Sequence, residues 1–184
     1  MNKMQKTFNR YDLKRMLRIS DPFLLIDIVD NIVPKKSGIG LKFLKNDEWF
    51  FASHFTDQPV MPGTLQTECM LQTIIAVLLS ATPSEKNNYL IVKSSVNFFS
   101  KITHHGSIQV IANITGYSKG SFQAEAELNF ENSLICNGKF RFVLPGGLEI
   151  SWKISIMMKA LTRKLFLLIS CLLYTSPSPR DDGV

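Results

Sequence analysis

The stretch from Thr64 to Ser80 (TLQTECMLQTIIAVLLS) constrains the fold more than any other part of the chain. It contains no glycine or proline, and apolar side chains fall on almost every side of the helix that it predicts. A helix of that kind is stable only when other elements cover most of its surface. The rest of the chain must supply this cover, and a sheet wrapped around the helix would do so.

Apolar segments before and after this helix predict the strands of such a sheet. We predict a short amphipathic helix over Tyr11–Ile19, a strand over Phe23–Val33 and a returning strand over Gly40–Leu44. Together with the four later strands, this order predicts an α+β fold in which a six-stranded antiparallel sheet wraps around one long, buried central helix. The four later strands are expected to form a meander over Tyr89–Phe99, Ser107–Thr115, Ser121–Phe130 and Leu134–Leu144.

Composition narrows the class of protein. With 45% hydrophobic and 20% charged residues, a chain of 184 residues can bury a real core and is not disordered throughout. Only half of the formal net charge of +6 belongs to residues 1–149, and no cluster of Lys and Arg alternates with aromatic residues. A nucleic-acid partner is therefore not expected. Three widely spaced cysteines form neither a zinc pattern nor a disulfide framework.

Neither end of the chain predicts a membrane segment. Residues 1–20 are polar and charged, unlike a secretory signal. The longest apolar run, Leu165–Tyr174, is about half as long as the ~20 residues that a membrane-spanning helix needs. We therefore expect a cytoplasmic protein without a membrane span. Residues 171–181 (CLLYTSPSPRD) match a translated sequencing adaptor, and strand periodicity is lost after Gly147. We therefore divide the chain into a domain over residues 1–149 and a predicted non-native tail over residues 150–184. Within this tail, residues 150–170 are either genuine or out of frame, and the lost periodicity favours the second.

Glu68 is a carboxylic acid in the middle of the apolar helix. Burial disfavours the charged form, so we expect a raised pKa and a protonated acid near neutral pH. Gln72 follows Glu68 by four residues and Thr64 precedes it by four, so both lie on its face of the helix, and the Gln72 amide can orient the carboxyl group. The alternative interpretation is a carboxylate that meets a cation or solvent at a helix end.

A candidate base and a candidate carbonyl-binding site lie within fifteen residues of Glu68. Neutral imidazole is the side chain best suited to take a weakly acidic proton at pH 7, so His54 is the candidate base. A packed, hydrogen-bonded histidine is the alternative. Pro62 is placed to begin the helix, and Gly63 allows a carbonyl group to approach the free N–H groups of the first turn. These residues indicate proton abstraction beside a carbonyl with loss of a leaving group.

The pattern HF-x-x-x-PVMPG-x-L-x-x-E-x-x-x-Q, from His54 to Gln72, resembles the active-site motif of the hotdog-fold 3-hydroxyacyl-[acyl-carrier-protein] dehydratases. The segments PFLLID and DEWFFASHF resemble the sequence that precedes the motif in that family, and a looser likeness covers roughly residues 10–144. Ser53, Thr56 and Asn97 stand where the family usually has Gly, Pro and Arg.

This resemblance implies a hotdog fold and a hydro-lyase. The enzyme would dehydrate 3-hydroxyacyl thioesters on an acyl carrier protein to trans-2-enoyl thioesters, in fatty acid or polyketide-like biosynthesis. His54 would be the base and Glu68 the acid, the N–H of Gly63 would hold the thioester carbonyl, and Gln72 would orient Glu68 with Thr64 in support. The resemblance implies no metal and no other cofactor. It also implies a homodimer or a dimer-based oligomer, with His54 of one chain facing Glu68 of the other.

Two other functions compete with the dehydratase. Hotdog domains also serve as acyl-thioesterases, which need an activated water beside the carbonyl rather than an acid beside the hydroxyl carbon. A non-catalytic acyl-binding or scaffold module would need neither a base nor an acid. The retention of both His54 and Glu68 favours the dehydratase over these alternatives.

Other candidate residues have simpler explanations. Cys69 is expected to be a small core residue rather than a nucleophile. His104 and His105 are not expected to bind a metal, because adjacent side chains diverge and no third ligand is near. Two roles are possible for one aromatic group: its side chains either pack in the core or form the wall of an acyl channel. The group consists of Trp49, Phe50, Phe51 and Phe55.

Overall fold

The computed structural model describes residues 6–81, 89–118 and 120–143, so the predicted tail lies outside the described residues. Neither of the two helices in this part of the chain is long and apolar enough to cross a membrane. In chain order the elements are β1 (Lys6–Asn9), α1 (Arg10–Leu17), β2 (Ile28–Val33), β3 (Ser37–Leu44), α2 (Gly63–Leu79), β4 (Leu90–Phe98), β5 (Gly106–Ser118), β6 (Ser121–Phe130) and β7 (Ser133–Val143).

The strands form one antiparallel sheet in the order β1-β2-β3-β5-β6-β7-β4. Alternate residues of β6 from Phe122 to Phe130 are buried, as expected for a sheet with one face on the core. The apolar side chains of α2 occupy that core, and most residues from Leu65 to Leu79 are buried. The predicted α+β architecture, with an antiparallel sheet around a central buried helix, is therefore confirmed.

Three details of the predicted sheet were wrong. The described part of the chain contains seven strands rather than six, because Lys6–Asn9 adds β1 beside β2. The strand predicted from Phe23 begins only at Ile28. The last four strands do not form a meander in chain order, since β4 pairs with β7 at the edge of the sheet rather than with β5. Periodicity predicts that a segment is extended but does not specify the neighbour with which it pairs.

The segment before β2 is irregular because a side chain of α2 takes its backbone hydrogen bonds. The Gln72 Oε1 atom accepts from the N–H groups of Leu25 and Ile26, at 2.9 and 3.3 Å. The Gln72 Nε2 atom donates to the carbonyl oxygen of Phe23 at 2.8 Å. Backbone bonding to β3 starts only at Asp27, whose N–H donates across at 2.8 Å. These bonds to Gln72 take the place of a strand ladder.

Two glycines of β3 let α2 lie close to the sheet. A Cβ atom on Gly40 would be 2.2 Å from the Thr73 Oγ1 atom, and one on Gly38 would be 2.6 Å from a methyl carbon of Val77. Residues four apart on a helix are separated by about 6 Å along its axis, and residues two apart on a strand by about 6.6 Å. The two pairs therefore match in spacing, and each glycine receives one helix side chain.

The strand β4 leaves an apolar edge uncovered. Every residue of β4 is exposed except Val96, which is partly buried, and the exposed fractions of Leu90, Ile91 and Val92 are close to 45%. β7 pairs with one side of β4, and no strand in the described residues pairs with the other side. Sheet edges of this kind are normally covered or protected.

The close approach at β3 generates a stability prediction. Gly40→Ala should lower the free energy of unfolding by about 1–3 kcal/mol, because the new methyl group overlaps the Thr73 side chain and the helix has to shift. The matched control is Gly116→Ala on β5, where the nearest atom to the added Cβ is 3.8 Å away. The control should change stability by less than about 1 kcal/mol. Urea unfolding of both variants checks this, and equal effects would contradict the proposed contact.

Candidate active site

The N-terminus of α2 presents unpaired backbone donors. Helix α2 begins at Gly63 with Pro62 as its N-cap, and the cap supplies no side-chain hydrogen bond. The carbonyl oxygen of Pro62 accepts from the N–H groups of Leu65 and Gln66, at 3.0 and 3.1 Å. The N–H groups of Gly63 and Thr64 meet no acceptor in the described part of the chain. Free donors at the positive end of a helix are suited to a carbonyl oxygen that gains charge.

Phe98, at the end of β4, packs across this helix start. A Cβ atom on Gly63 would lie 3.0 and 3.1 Å from two ring carbons of Phe98, so glycine makes room for the ring. The ring remains half exposed. The sequence analysis missed this contact. The only sequence signal was the aromatic pair Phe98-Phe99 at the end of a strand.

Glu68 lies one turn further along α2, partly buried, and its carboxyl oxygen accepts from the Nε2 atom of Gln72 at 2.9 Å. Burial raises the pKa of Glu68 above its ordinary value near 4.5, and the Gln72 hydrogen bond opposes part of that rise. No cation forms an ion pair with Glu68 in the described residues. Partial burial therefore shifts Glu68 towards its protonated form. Of the alternative of a cation or solvent, the described residues exclude only an ion-paired cation.

His54 is held by its own loop. Its backbone carbonyl accepts from the N–H of Val60 at 2.7 Å, and its ring Nδ1 atom lies 3.0 Å from the carbonyl oxygen of Val60. Because a carbonyl oxygen can only accept, this bond places the proton on Nδ1 and leaves the lone pair on Nε2. The ring of Phe55 stacks against the imidazole with ring centroids 4.0 Å apart. This arrangement suits a base that accepts a proton at Nε2.

Hydrogen bonds connect only some of the five residues predicted for the site within one chain. Gln72 and Glu68 are hydrogen-bonded to each other, and Gly63 is at the start of the same helix. No hydrogen bond or ion pair joins His54 to Glu68 in residues 6–81, 89–118 and 120–143. Thr64 is exposed, and its side chain has no hydrogen bond to another described residue.

The other candidate residues divide between core and surface. Cys69 is fully buried and its thiol pKa is strongly raised by desolvation, so its predicted place in the core is confirmed. His104 is exposed and bonds through Nδ1 to the carbonyl oxygen of His105 at 2.7 Å. No group of three metal-ligating side chains occurs in the part of the chain that the structure describes. The aromatic group is split, because Phe50 and Phe51 are in the core and Trp49 and Phe55 are about half exposed.

Comparison with known proteins assigns the family. Residues 19–139 match the FabA-like domain family. The chain belongs to this family. A 3-hydroxyacyl-[acyl-carrier-protein] dehydratase FabZ from Syntrophomonas wolfei subsp. wolfei is 27% identical over 137 residues, which cover 74% of this chain and 95% of that protein. A FabZ dehydratase from Caldicellulosiruptor bescii is 31% identical over 139 residues, which cover 73% of this chain and 99% of that protein.

Solved structures agree on the fold. One chain of the dehydratase heterocomplex ApeI:P from Xenorhabdus doucetiae superposes with a TM-score of 0.62, over 77% of this chain and 96% of that chain. The two sequences are 16% identical, so this similarity concerns the fold. The hotdog fold and the resemblance to the dehydratase family are confirmed.

The partly buried Glu68 carboxyl group generates a pH-dependent prediction. Because its pKa is raised in the folded state, its contribution to stability is fully present below the unfolded pKa near 4.5 and is lost as pH rises through the folded pKa. Glutamine does not ionise. Glu68→Gln should therefore raise the free energy of unfolding relative to the wild type at neutral pH, with a difference that fades towards about pH 4.

Urea unfolding at a series of pH values measures this difference. Glu127→Gln, at an exposed position of β6, is the matched control and should show no comparable rise at neutral pH. A Glu68→Gln effect that is the same at every pH would show that ionisation of Glu68 does not oppose folding.

Proposed function

We propose that this protein, within residues 1–149, is a hydro-lyase that converts 3-hydroxyacyl thioesters to trans-2-enoyl thioesters. The observation that carries the proposal is Glu68, a partly buried carboxyl group whose pKa is raised by desolvation and whose orientation is fixed by Gln72. Membership of the FabA-like domain family and the FabZ names of its relatives support the same reaction.

The reaction needs a base at C2 and an acid at C3 of the acyl chain. His54 takes the C2 proton at Nε2, while its Nδ1–H remains bonded to the carbonyl oxygen of Val60. The electrons of the broken C–H bond form the C2–C3 double bond, and the C3–O bond breaks. Glu68 protonates the departing hydroxyl group, which leaves as water. One proton then passes from the imidazolium back to the carboxylate, which restores both groups.

The start of α2 acidifies the C2 proton. A thioester carbonyl against the free N–H groups of Gly63 and Thr64 gains negative charge as C2–H breaks, and the donors with the helix dipole stabilise that charge. In this proposal Thr64 contributes through its backbone, since its side chain has no partner in the described residues. The acyl group is delivered by an acyl carrier protein, the substrate class in the names of the FabZ relatives.

We further propose that two copies of the chain complete each site. Within one chain no hydrogen bond or ion pair joins His54 to Glu68 in the described part of the structure, and no described strand pairs with the outer side of β4. Isologous pairing along β4 covers this edge and creates two equivalent sites. In each site, His54 of one chain faces Glu68 of the other.

A direct assay tests the reaction. The full chain, incubated with 3-hydroxyacyl-carrier-protein substrates of several chain lengths, should generate enoyl thioester absorbance without releasing free thiol. His54→Ala and Glu68→Gln should each lower turnover at least about 100-fold, in line with the usual loss of a general acid or base. Release of free thiol without enoyl product would instead identify a thioesterase, and product formation by Glu68→Gln at wild-type rates would refute the acid role.

Mixing the two inactive variants tests the shared site. When His54→Ala and Glu68→Gln chains are unfolded and refolded together, a mixed dimer contains one site with both defects and one site with neither. Activity should therefore return to about a quarter of the wild-type level, since half of the dimers are mixed and each has one intact site. Native mass spectrometry confirms the mixed dimers. If these form and remain inactive, His54 and Glu68 of the same chain make the site.

A further inference from the structure

We propose that Arg10 is a positioning residue for Glu68 and acts on it through a chain of hydrogen bonds, without touching it. The chain runs from the Arg10 guanidinium through the peptide group between Leu24 and Leu25 to the Gln72 amide, and from there to the Glu68 carboxyl group. This inference rests on the proposed function, because the positioning concerns the proposed acid.

The first part of this chain lies on the surface side of the segment before β2. Arg10 begins α1, and its Nη2 atom donates to the carbonyl oxygen of Leu24 at 2.7 Å. Its Nη1 atom donates to the Asp27 carboxylate at 2.7 Å and reaches the carbonyl oxygen of Ile26 at 3.5 Å. An ion pair with Asp21 completes the set. One guanidinium group therefore bonds to the segment at four points, from residue 21 to residue 27.

The second part lies on the core side of the same segment. The N–H of Leu25 shares its peptide group with the Leu24 carbonyl, and it donates to the Gln72 Oε1 atom at 2.9 Å. The Gln72 Nε2 atom in turn donates to Glu68 at 2.9 Å. Arg10 and Gln72 therefore hold opposite ends of one peptide group, so the position of the Gln72 amide depends on both partners of that peptide.

Because its bonds all run in the same direction, the series of hydrogen bonds transmits the charge of Arg10 towards Glu68. Every donor points from Arg10 towards Glu68, and hydrogen bonds in series polarise one another. A cation on the Leu24 carbonyl makes the Leu25 N–H a stronger donor, and this in turn strengthens the donation from Gln72. The Gln72 bond lowers the pKa of Glu68 against the effect of burial. None of the ion pairs in the described residues includes Glu68, whereas the hydrogen-bond chain connects its carboxyl group to the Arg10 guanidinium.

The test measures the Glu68 carboxyl group directly. Carboxyl-labelled glutamate gives its pKa by carbon NMR, with the signal assigned by Glu68→Gln. The pKa should rise in Arg10→Met, in the same direction as in Gln72→Met, and Arg10→Lys should give an intermediate value because an ammonium group cannot reach all four acceptors. The matched control is Arg15→Met, on the same helix, where Arg15 lies over the Tyr11 ring and outside this network.

Turnover provides a second measurement. In Arg10→Met, kcat should fall about tenfold because the Gln72 amide no longer holds Glu68 in a fixed orientation, and KM should stay within about twofold because the substrate-binding surface is unchanged. The alkaline limb of the kcat profile should move in the same direction as the measured pKa. In the double variant with Gln72→Met, the Arg10→Met change should have no further effect on the Glu68 pKa, since the chain is already broken.

Two results would overturn the proposal. One is an unchanged Glu68 pKa in both folded Arg10 variants, together with a shifted pKa in Gln72→Met. The other is full additivity of the Arg10→Met and Gln72→Met shifts, which would mean independent effects. The NMR measurement does not depend on turnover. Absence of dehydratase activity in the wild-type protein would refute the proposed function. The Glu68 pKa values measured in the variants would still decide the role of Arg10.

Discussion

The Gln72 side chain joins the irregular segment before β2 to Glu68, the proposed acid on α2. It is almost fully buried, and its oxygen accepts two backbone N–H bonds while its nitrogen donates to Phe23 and Glu68. All the hydrogen-bonding capacity of the amide is therefore used. A buried amide without these partners would be costly, so the irregular segment before β2 and the orientation of Glu68 are fixed together.

The apolar character of α2 determines how far the Gln72 amide and the Glu68 carboxyl group are shielded from water. The helix is covered because β3 places Gly38 and Gly40 against Val77 and Thr73, which brings the sheet close. Close packing excludes water from much of the helix, and the same exclusion raises the pKa of Glu68. The close packing that stabilises the fold therefore also shifts the proposed acid towards its protonated form.

The local sequence pattern was sufficient to predict much of the fold and part of the candidate site. Helix α2, strands β5 to β7 and the Glu68–Gln72 spacing follow from periodicity, since each depends on residues near in sequence. The irregular segment before β2 could not be predicted, because its hydrogen-bond partner Gln72 lies almost fifty residues away in the sequence. The apolar composition of the segment is also typical of a strand, so the local pattern predicted one. The edge position of β4 and the Phe98 contact with Gly63 likewise depend on distant pairing.

The residues that orient the proposed base lie near it in the sequence, whereas those that orient the proposed acid include distant ones. His54 is oriented by Val60, six residues away, in a loop whose bonds do not involve the core of the sheet. Glu68 is oriented by Gln72, which depends on a segment more than forty residues away and, through it, on Arg10 at the start of α1. If the proposed mechanism holds, a change in how α1 or the segment before β2 packs acts on the proposed acid through these hydrogen bonds, none of which includes the proposed base. Substitutions distant in sequence from Glu68 would in this way alter its protonation.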